Sequence, residues 1–265
     1  MEVQIKKAIK AGNSSAVILP RSWLNKEIRV ELIKKTHEMM LLDVIGMLKN
    51  YINTKEIIGV YLTGSYARRE EDNNSDIDIL VITKNVDKEM IIEGIYNVLI
   101  VSKYLLEQKL QSDLFPIGQM IKEAVPLLNF DYLNSIKISV TNKNVKWYID
   151  TTEDKLSIIK KILERAKRNN KKYLEDRIVY TLILRIRTLH IIEKLITNKD
   201  YSKKDFIKLI KKVSKGSNAY ERYLAIKNNL EEKKVVSLEE AERLYNYLEE
   251  QLIRIKRLSK KALKT

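Results

Sequence analysis

The chain has 265 residues, with 50 Lys and Arg against 35 Asp and Glu, giving a formal net charge of +15 at pH 7. It contains no cysteine, which excludes a disulfide framework, thiolate zinc and a cysteine nucleophile. With only His37 and His190, a histidine-rich metal site is excluded as well.

At the amino terminus, Met1-Glu2-Val3-Gln4-Ile5-Lys6-Lys7 lacks the apolar core of a secretory leader. The most apolar stretch, Ile178 to Ile192, is interrupted by Arg185 and Arg187, against a membrane span. A cytoplasmic protein without a membrane partner is expected. Strands are expected at Val3–Lys6, Val17–Leu19 and Ile28–Leu32, separated by a turn at Gly12-Asn13-Ser14-Ser15 and another at Pro20–Leu24. About thirty residues cannot bury a core of their own, so this arm must pair with something. Gly12, Asn13, Ser14, Val17, Leu19, Pro20, Trp23, Val30 and Leu32 give it a resemblance to the AbrB/MazE-like swapped-hairpin family. The resemblance implies a homodimer through residues 1–35, with Lys6, Lys10, Asn13 and Arg21 at a DNA surface. A purely dimerising arm fits the same residues.

The middle segment alternates helix and strand: a helix near Met39–Tyr51, strands at Ile57–Leu62 and Ile77–Ile82, a helix near Asp87–Ile95, then a strand at Tyr96–Val101. That succession predicts a mixed sheet with helices on one side. Gly64-Ser65 ends the first motif strand at a tight turn, and Asp76 and Asp78 open the second. Alternate residues of a strand share a face, so the two carboxylates stand roughly 7 Å apart on one side. Like charges so held repel unless a cation sits between them, and Mg2+ shared with substrate phosphates relieves that repulsion.

Gly64, Ser65, Ala67, Arg68, Ser75, Asp76 and Asp78 together resemble the small nucleotidyltransferases of the DNA polymerase beta type, whose motif runs Gly-Ser-x-Ala-Arg-Gly, a spacer, then Ser-Asp-x-Asp. The resemblance implies catalytic, metal-binding acids at Asp76 and Asp78, and a nucleotide-phosphate site at Gly64, Ser65, Arg68 and Ser75. It implies Mg2+ and a nucleoside triphosphate, ATP foremost, as cofactor and substrate. Two positions depart from the pattern: Arg69 replaces the second glycine, and Asn97 stands where the family places a third carboxylate.

Beyond Trp147 the chain turns to long helical periodicity, over Thr152–Arg168, Lys172–Thr197, Lys203–Val213, Ser217–Asn229 and Ser237–Leu258, with a capping-box signal at Ser237 and Glu240. A helical bundle is expected. Arg185 and His190 fit the Arg-x4-His pattern of the HEPN ribonuclease family, but five residues on a continuous helix set them about 140° apart. Charge is unevenly spread: residues 1–35 carry +5, residues 36–150 carry −4 and residues 151–265 carry +14. Basic flanks suggest a polyanionic partner, DNA or RNA, although lysines on exposed helices also serve solubility.

The expected fold is thus α/β (α+β), in three parts: an AbrB-like β-hairpin arm over 1–35, a small mixed-sheet nucleotidyltransferase domain over 36–148 and a helical bundle over 149–265. The expected function is Mg2+-dependent transfer of a nucleoside monophosphate to an acceptor hydroxyl. The alternative is a DNA-binding, antitoxin-like regulator whose nucleotidyltransferase domain senses a nucleotide.

Overall fold

A computed structural model describes residues 6, 8–30, 35–72, 75–216, 218–228 and 236–261. The chain divides into two units, residues 1–36 and 37–265. In the first, Ile9–Ala11 (β1) pairs antiparallel with Ser14–Ala16 (β2), and Ala11 stands opposite Ser14. Gly12 and Asn13 therefore form a two-residue hairpin turn, with Gly12 at φ +61, which glycine adopts without strain. The strands expected at Val17–Leu19 and Ile28–Leu32 are corrected: residues 17–19 and 28–30 form no regular element. A two-residue turn pairs its immediate neighbours, so the ladder starts at Ser14 and ends before Pro20, which has no N–H to donate. Val3–Ile5 and residues 31–32 lie outside the described residues.

The second unit begins with His37–Leu48 (α1), which buries Met40, Val44 and Leu48 at helical spacing. Ile57–Thr63 (β3) leads into the four-residue turn of helix Gly64–Ala67 (α2), and Ile77–Thr83 (β4), Lys88–Glu93 (β5) and Tyr96–Ser102 (β6) follow. Then come Lys103–Ser112 (α3), Ile117–Glu123 (α4), Val125–Leu128 (β7) and Phe130–Ser135 (α5). The strands form one mixed sheet in the order β5-β6-β4-β3-β7, parallel between β4 and β6 and antiparallel elsewhere.

Two expectations need correction here. The helix expected near Asp87–Ile95 is the edge strand β5. Glu93 pairs with Tyr96 across a two-residue turn at Gly94-Ile95, and Gly94 at φ +63 closes the hairpin. Edge pairing with β6 overrides the helical look of its Lys and Glu. Helices also cover both faces of the sheet. Met40, Val44 and Leu48 of α1 pack on Val60, Leu62, Ile79 and Val81, while Leu106 of α3 and Ile117 and Ile121 of α4 pack on Tyr61, Leu80 and Ile82. Continuous apolar runs in β3 and β4 require this, because a central strand without alternation must be buried on both sides.

The bundle comprises Asn142–Arg168 (α6), Asp176–Ile196 (α7), Lys203–Ser214 (α8), Asn218–Lys227 (α9) and Leu238–Lys261 (α10). Helix α6 starts at a capping box between Thr141 and Asn144 and runs through positions 148 and 149 without a break. Helix α7 is apolar on nearly all sides and is the central element, packed by α9 and α10. The Ser237–Glu240 capping box forms as expected: the Glu240 amide donates to the Ser237 hydroxyl at 3.2 Å and the Ser237 amide to Glu240 at 3.1 Å. Among the described residues, no helix is long and apolar enough to cross a membrane.

The motif loop is tied to the bundle by Glu70. Its carboxylate accepts from the Ser202 hydroxyl at 2.8 Å and from the Lys203 amide at 2.9 Å, capping α8 where the helix dipole favours an anion. Burial alone would raise the Glu70 pKa, but the Lys203 amide, Arg68 and Ser202 outweigh it and hold the carboxyl below the ordinary 4.5. A depressed pKa stabilises the fold above pH 4.5, and that stability is lost as pH falls through the folded value. Glu70→Gln should therefore cost about 2 kcal/mol at pH 7, from lost hydrogen bonds to a charged group. In thermal melts its deficit against the parent chain should shrink steadily below pH 4.5; a deficit independent of pH would show that the charge of Glu70 does not hold α8.

Candidate functional site

Strand β3 ends at Thr63, whose hydroxyl donates to the Asp78 carbonyl at 3.2 Å, and Thr63 and Asp78 are direct partners across the ladder. Gly64 follows at φ +70, and a Cβ there would overlap the Asp78 carboxylate. Glycine is thus required twice, once by the backbone and once by the acid in front of it. Asp78 shares its face of the sheet with Leu80 and Ile82, the face that α3 and α4 cover.

Asp78 is half-buried and its pKa is raised, first by burial and then by repulsion from Asp76 and Glu123; the Asn97 amide and Arg68 oppose the shift. Asn97 stands opposite Asp78 in the parallel ladder with β6 and donates to it at 3.3 Å. The amide therefore occupies the expected third-carboxylate position. It neutralises nothing and cannot accept a proton as a base near neutral pH.

The side of the turn expected to receive phosphates is engaged within the protein. The Gly64 amide donates to Glu123 at 2.7 Å, the Arg68 guanidinium to the same carboxylate at 2.6 Å, and the Gln119 amide at 2.7 Å. Arg68 also donates to Glu70 at 3.0 Å. The Ser65 hydroxyl has no hydrogen-bond partner among the described residues. Ser75 closes a turn with Asp72: its hydroxyl donates to the Asp72 carboxylate at 3.0 Å and accepts the Asp72 amide at 2.9 Å. Asp76, expected to open the second motif strand, is exposed and precedes β4, which begins at Ile77. Arg69 sits at φ +56, the left-handed geometry for which a glycine would be better suited.

The bundle brings cations that the motif does not contain. Lys227, at the end of α9, has its pKa lowered by burial and by Arg187 and Lys203, against the attraction of Asp78 and Asp76. Arg187 is deeply buried, donates to the Tyr201 hydroxyl at 3.3 Å and lies over the Tyr201 ring at 5.8 Å. Burial alone would lower its pKa; Tyr201 and Tyr223 raise it above the ordinary value. Arg68 lies over the same Tyr201 ring at 5.4 Å. Glu70, Glu123, Arg187, Lys203 and Lys227 were all missed in sequence reasoning. Glu123, Arg187, Lys203 and Lys227 stand far from the motif along the chain, and nothing in local spacing marks them; Glu70 lies inside the motif segment, but its partners Ser202 and Lys203 do not.

Arg185 and His190 do not come together. Arg185 donates to Thr151 at 2.9 Å and lies over Trp147 at 5.9 Å, while His190 packs on Tyr201 and Phe206. Burial, Lys194 and Arg254 lower the His190 pKa to about 4, so at neutral pH the ring is uncharged. The four DNA-surface candidates, Lys6, Lys10, Asn13 and Arg21, are all exposed on the first unit.

Among the described residues, no three His, Asp or Glu side chains are arranged to hold a metal ion. Asp76 and Asp78 are two carboxylates at the head of β4, the donor type that a hard divalent cation takes.

Residues 47–144 match the family model described as Polymerase beta, Nucleotidyltransferase. Two solved structures are similar at 14% identity and a TM-score of 0.40 each. One is a nucleotidyltransferase-like protein from Exiguobacterium sibiricum 255-15, matched over 84% of this chain and 78% of that one. The other is spectinomycin adenyltransferase AAD(9) from Enterococcus faecialis with ATP and spectinomycin, matched over 80% of this chain and 99% of that one. No curated protein matches the chain.

A raised Asp78 pKa means that its ionised form opposes folding above its ordinary value of 3.8, an opposition absent in acid. Asp78→Asn should raise the melting temperature of the nucleotide-free protein at pH 7, an advantage that disappears below about pH 4. A lower melting temperature at pH 7 would contradict this account of the site.

Proposed function

We propose that the chain transfers a nucleoside monophosphate from Mg-NTP to an acceptor hydroxyl. The observation that carries this reading is the close approach of Gly64 to Asp78, which sets a glycine-serine corner directly before an acid whose pKa is already raised. Asp76 and Asp78 would hold the Mg2+, which when bound neutralises phosphate charge and orients the triphosphate. Ser65 offers a free hydroxyl to the phosphates, and Lys203 and Lys227 offer charge from the bundle side. Arg68 and Glu123 keep the corner rigid, and a phosphate reaching the Gly64 amide must compete with Glu123 for it. In the transfer, the acceptor oxygen bonds to the α-phosphorus as the bond to the β-phosphate oxygen breaks, and pyrophosphate leaves. The hydroxyl proton goes to water, because Asn97 cannot take it.

Slow chemistry is therefore expected, and Asn97 offers the test. Labelled NTP with Mg2+ and candidate acceptors should give weak transfer in the natural chain. Asn97→Glu, placed beside Asp78 by the β4–β6 register, should raise it by about 100-fold. Asp76→Asn with Asp78→Asn should abolish Mg-ATP binding in calorimetry. Unchanged affinity in that double variant would end the assignment.

One observation favours the second reading, a dimeric DNA-associated regulator. Ile18, Leu24 and Val30 of the arm are 69%, 71% and 71% exposed, more apolar surface than a thirty-residue unit should leave in water. A second arm related by a two-fold axis would cover it, with Lys6, Lys10, Asn13 and Arg21 turned to DNA. Removing residues 1–35 should convert a dimer to a monomer in light scattering and abolish salt-sensitive DNA binding. A truncated chain that stays dimeric excludes the arm as the interface.

A further inference from the structure

Helix α8 begins at the site and leads away from it. Its first turn is fixed by Glu70, and the Lys203 ammonium donates to Asp72 at 3.3 Å, four residues before Asp76. Its twelve residues extend about 18 Å. Phe206 and Ile210 face the bundle core, while Lys204, Lys208 and Lys211 are exposed three or four residues apart, on one stripe, and Lys215, the left-handed residue that ends the helix, is exposed just beyond it. Asp205 is the only acid in the helix, and it lies 3.8 Å from Lys208. Lys204, Lys211 and Lys215 have no ion-pair partner among the described residues.

Solubility does not account for this stripe. Like charges three or four residues apart destabilise a helix, and the dipole disfavours cations in the first turn, where Lys203 and Lys204 lie. Helix α10 of the same bundle is built differently. Its Arg243, Arg254 and Lys256 pair with Glu239, Glu193 and Glu153. The charge of Lys204, Lys211 and Lys215 is left uncompensated on a track whose first turn is tied to Glu70 and Asp72 of the motif segment.

We propose that the exposed lysine stripe of α8 is a docking track for a nucleic-acid strand, whose terminal hydroxyl it directs toward Asp76 and Asp78. A nucleic-acid strand carries repeated phosphates and a terminal hydroxyl on one molecule, which matches the track and the site at its end. The role of the hydroxyl rests on the nucleotidyl-transfer reading; the docking itself does not.

The test is fluorescence anisotropy with a labelled single-stranded RNA of about 20 nucleotides across a salt series, a length sufficient for one protein-bound groove. The full chain is compared with a variant carrying Lys204→Gln, Lys208→Gln, Lys211→Gln and Lys215→Gln. The variant should bind about tenfold or more weakly, and its plot of log affinity against log salt should be shallower by about 3. Arginine at the same four positions should restore binding. The melting temperature should be no lower than that of the parent chain and Mg-ATP affinity should match it, showing that the site is intact. Equal affinity and slope in the glutamine variant, no RNA binding by the parent chain, or displacement of RNA by polyglutamate at equal charge would each overturn the proposal. Asp76→Asn with Asp78→Asn should leave RNA binding unchanged; transfer failing there while RNA still binds separates the two readings.

Discussion

Arg68 is held between Glu123 at 2.6 Å and Glu70 at 3.0 Å, and the rest of the site depends on that clamp. The acids are only 10% and 8% exposed and the guanidinium 15%, so three charges have left water together. Such a group survives only when every member is paired, and removing one member from a buried set costs about 3–5 kcal/mol. Through Glu123 the clamp fixes the Gly64 amide and the end of α4; through Glu70 it caps α8. One side chain therefore sets the phosphate turn, the helix beneath the sheet and the docking of the bundle. Burial would lower the Arg68 pKa, but Glu123 and Glu70 raise it above its ordinary value, so the clamp stays charged.

Beyond the clamp stand Asp78, Lys227 and Arg187, charges of both signs with no ion pair between them. Burial raises the Asp78 pKa and lowers that of Lys227, and Arg187 is deeply buried with tyrosine hydroxyls as its partners. Groups so placed are stabilised by a ligand bearing both charges, and Mg2+ with a polyphosphate is one. Sites of this kind give up folding stability for function. The structural charge network lies behind the turn and the unsatisfied one before it, with Tyr201 between Arg68 and Arg187.

Helix α7 shows why a motif match need not make a site. The Arg-x4-His spacing is present, yet its helix is continuous, and Arg185 and His190 face different neighbours. The histidine has become an uncharged packing group, with Nε2 lacking a hydrogen-bond partner among the described residues. A helix that must bury nearly every face leaves a ring in its interior little choice.

Local chemistry alone determined much of this molecule. The apolar runs of β3, β4 and β6, the Gly64 turn and the Ser237 capping box each need only neighbours a few residues away, and all were legible in the sequence. The place of Asn97 opposite Asp78 was legible too, because strand period and ladder register are set by the same apolar pattern. Where a local preference competed with long-range pairing, the sequence misled: Lys88 to Glu93 reads as a helix until β6 offers it a sheet edge. Glu123, Lys203 and Lys227 could be assigned only by the tertiary structure. They meet the motif through helices tens of residues away, and such meetings depend on how helices pack, which no local spacing records.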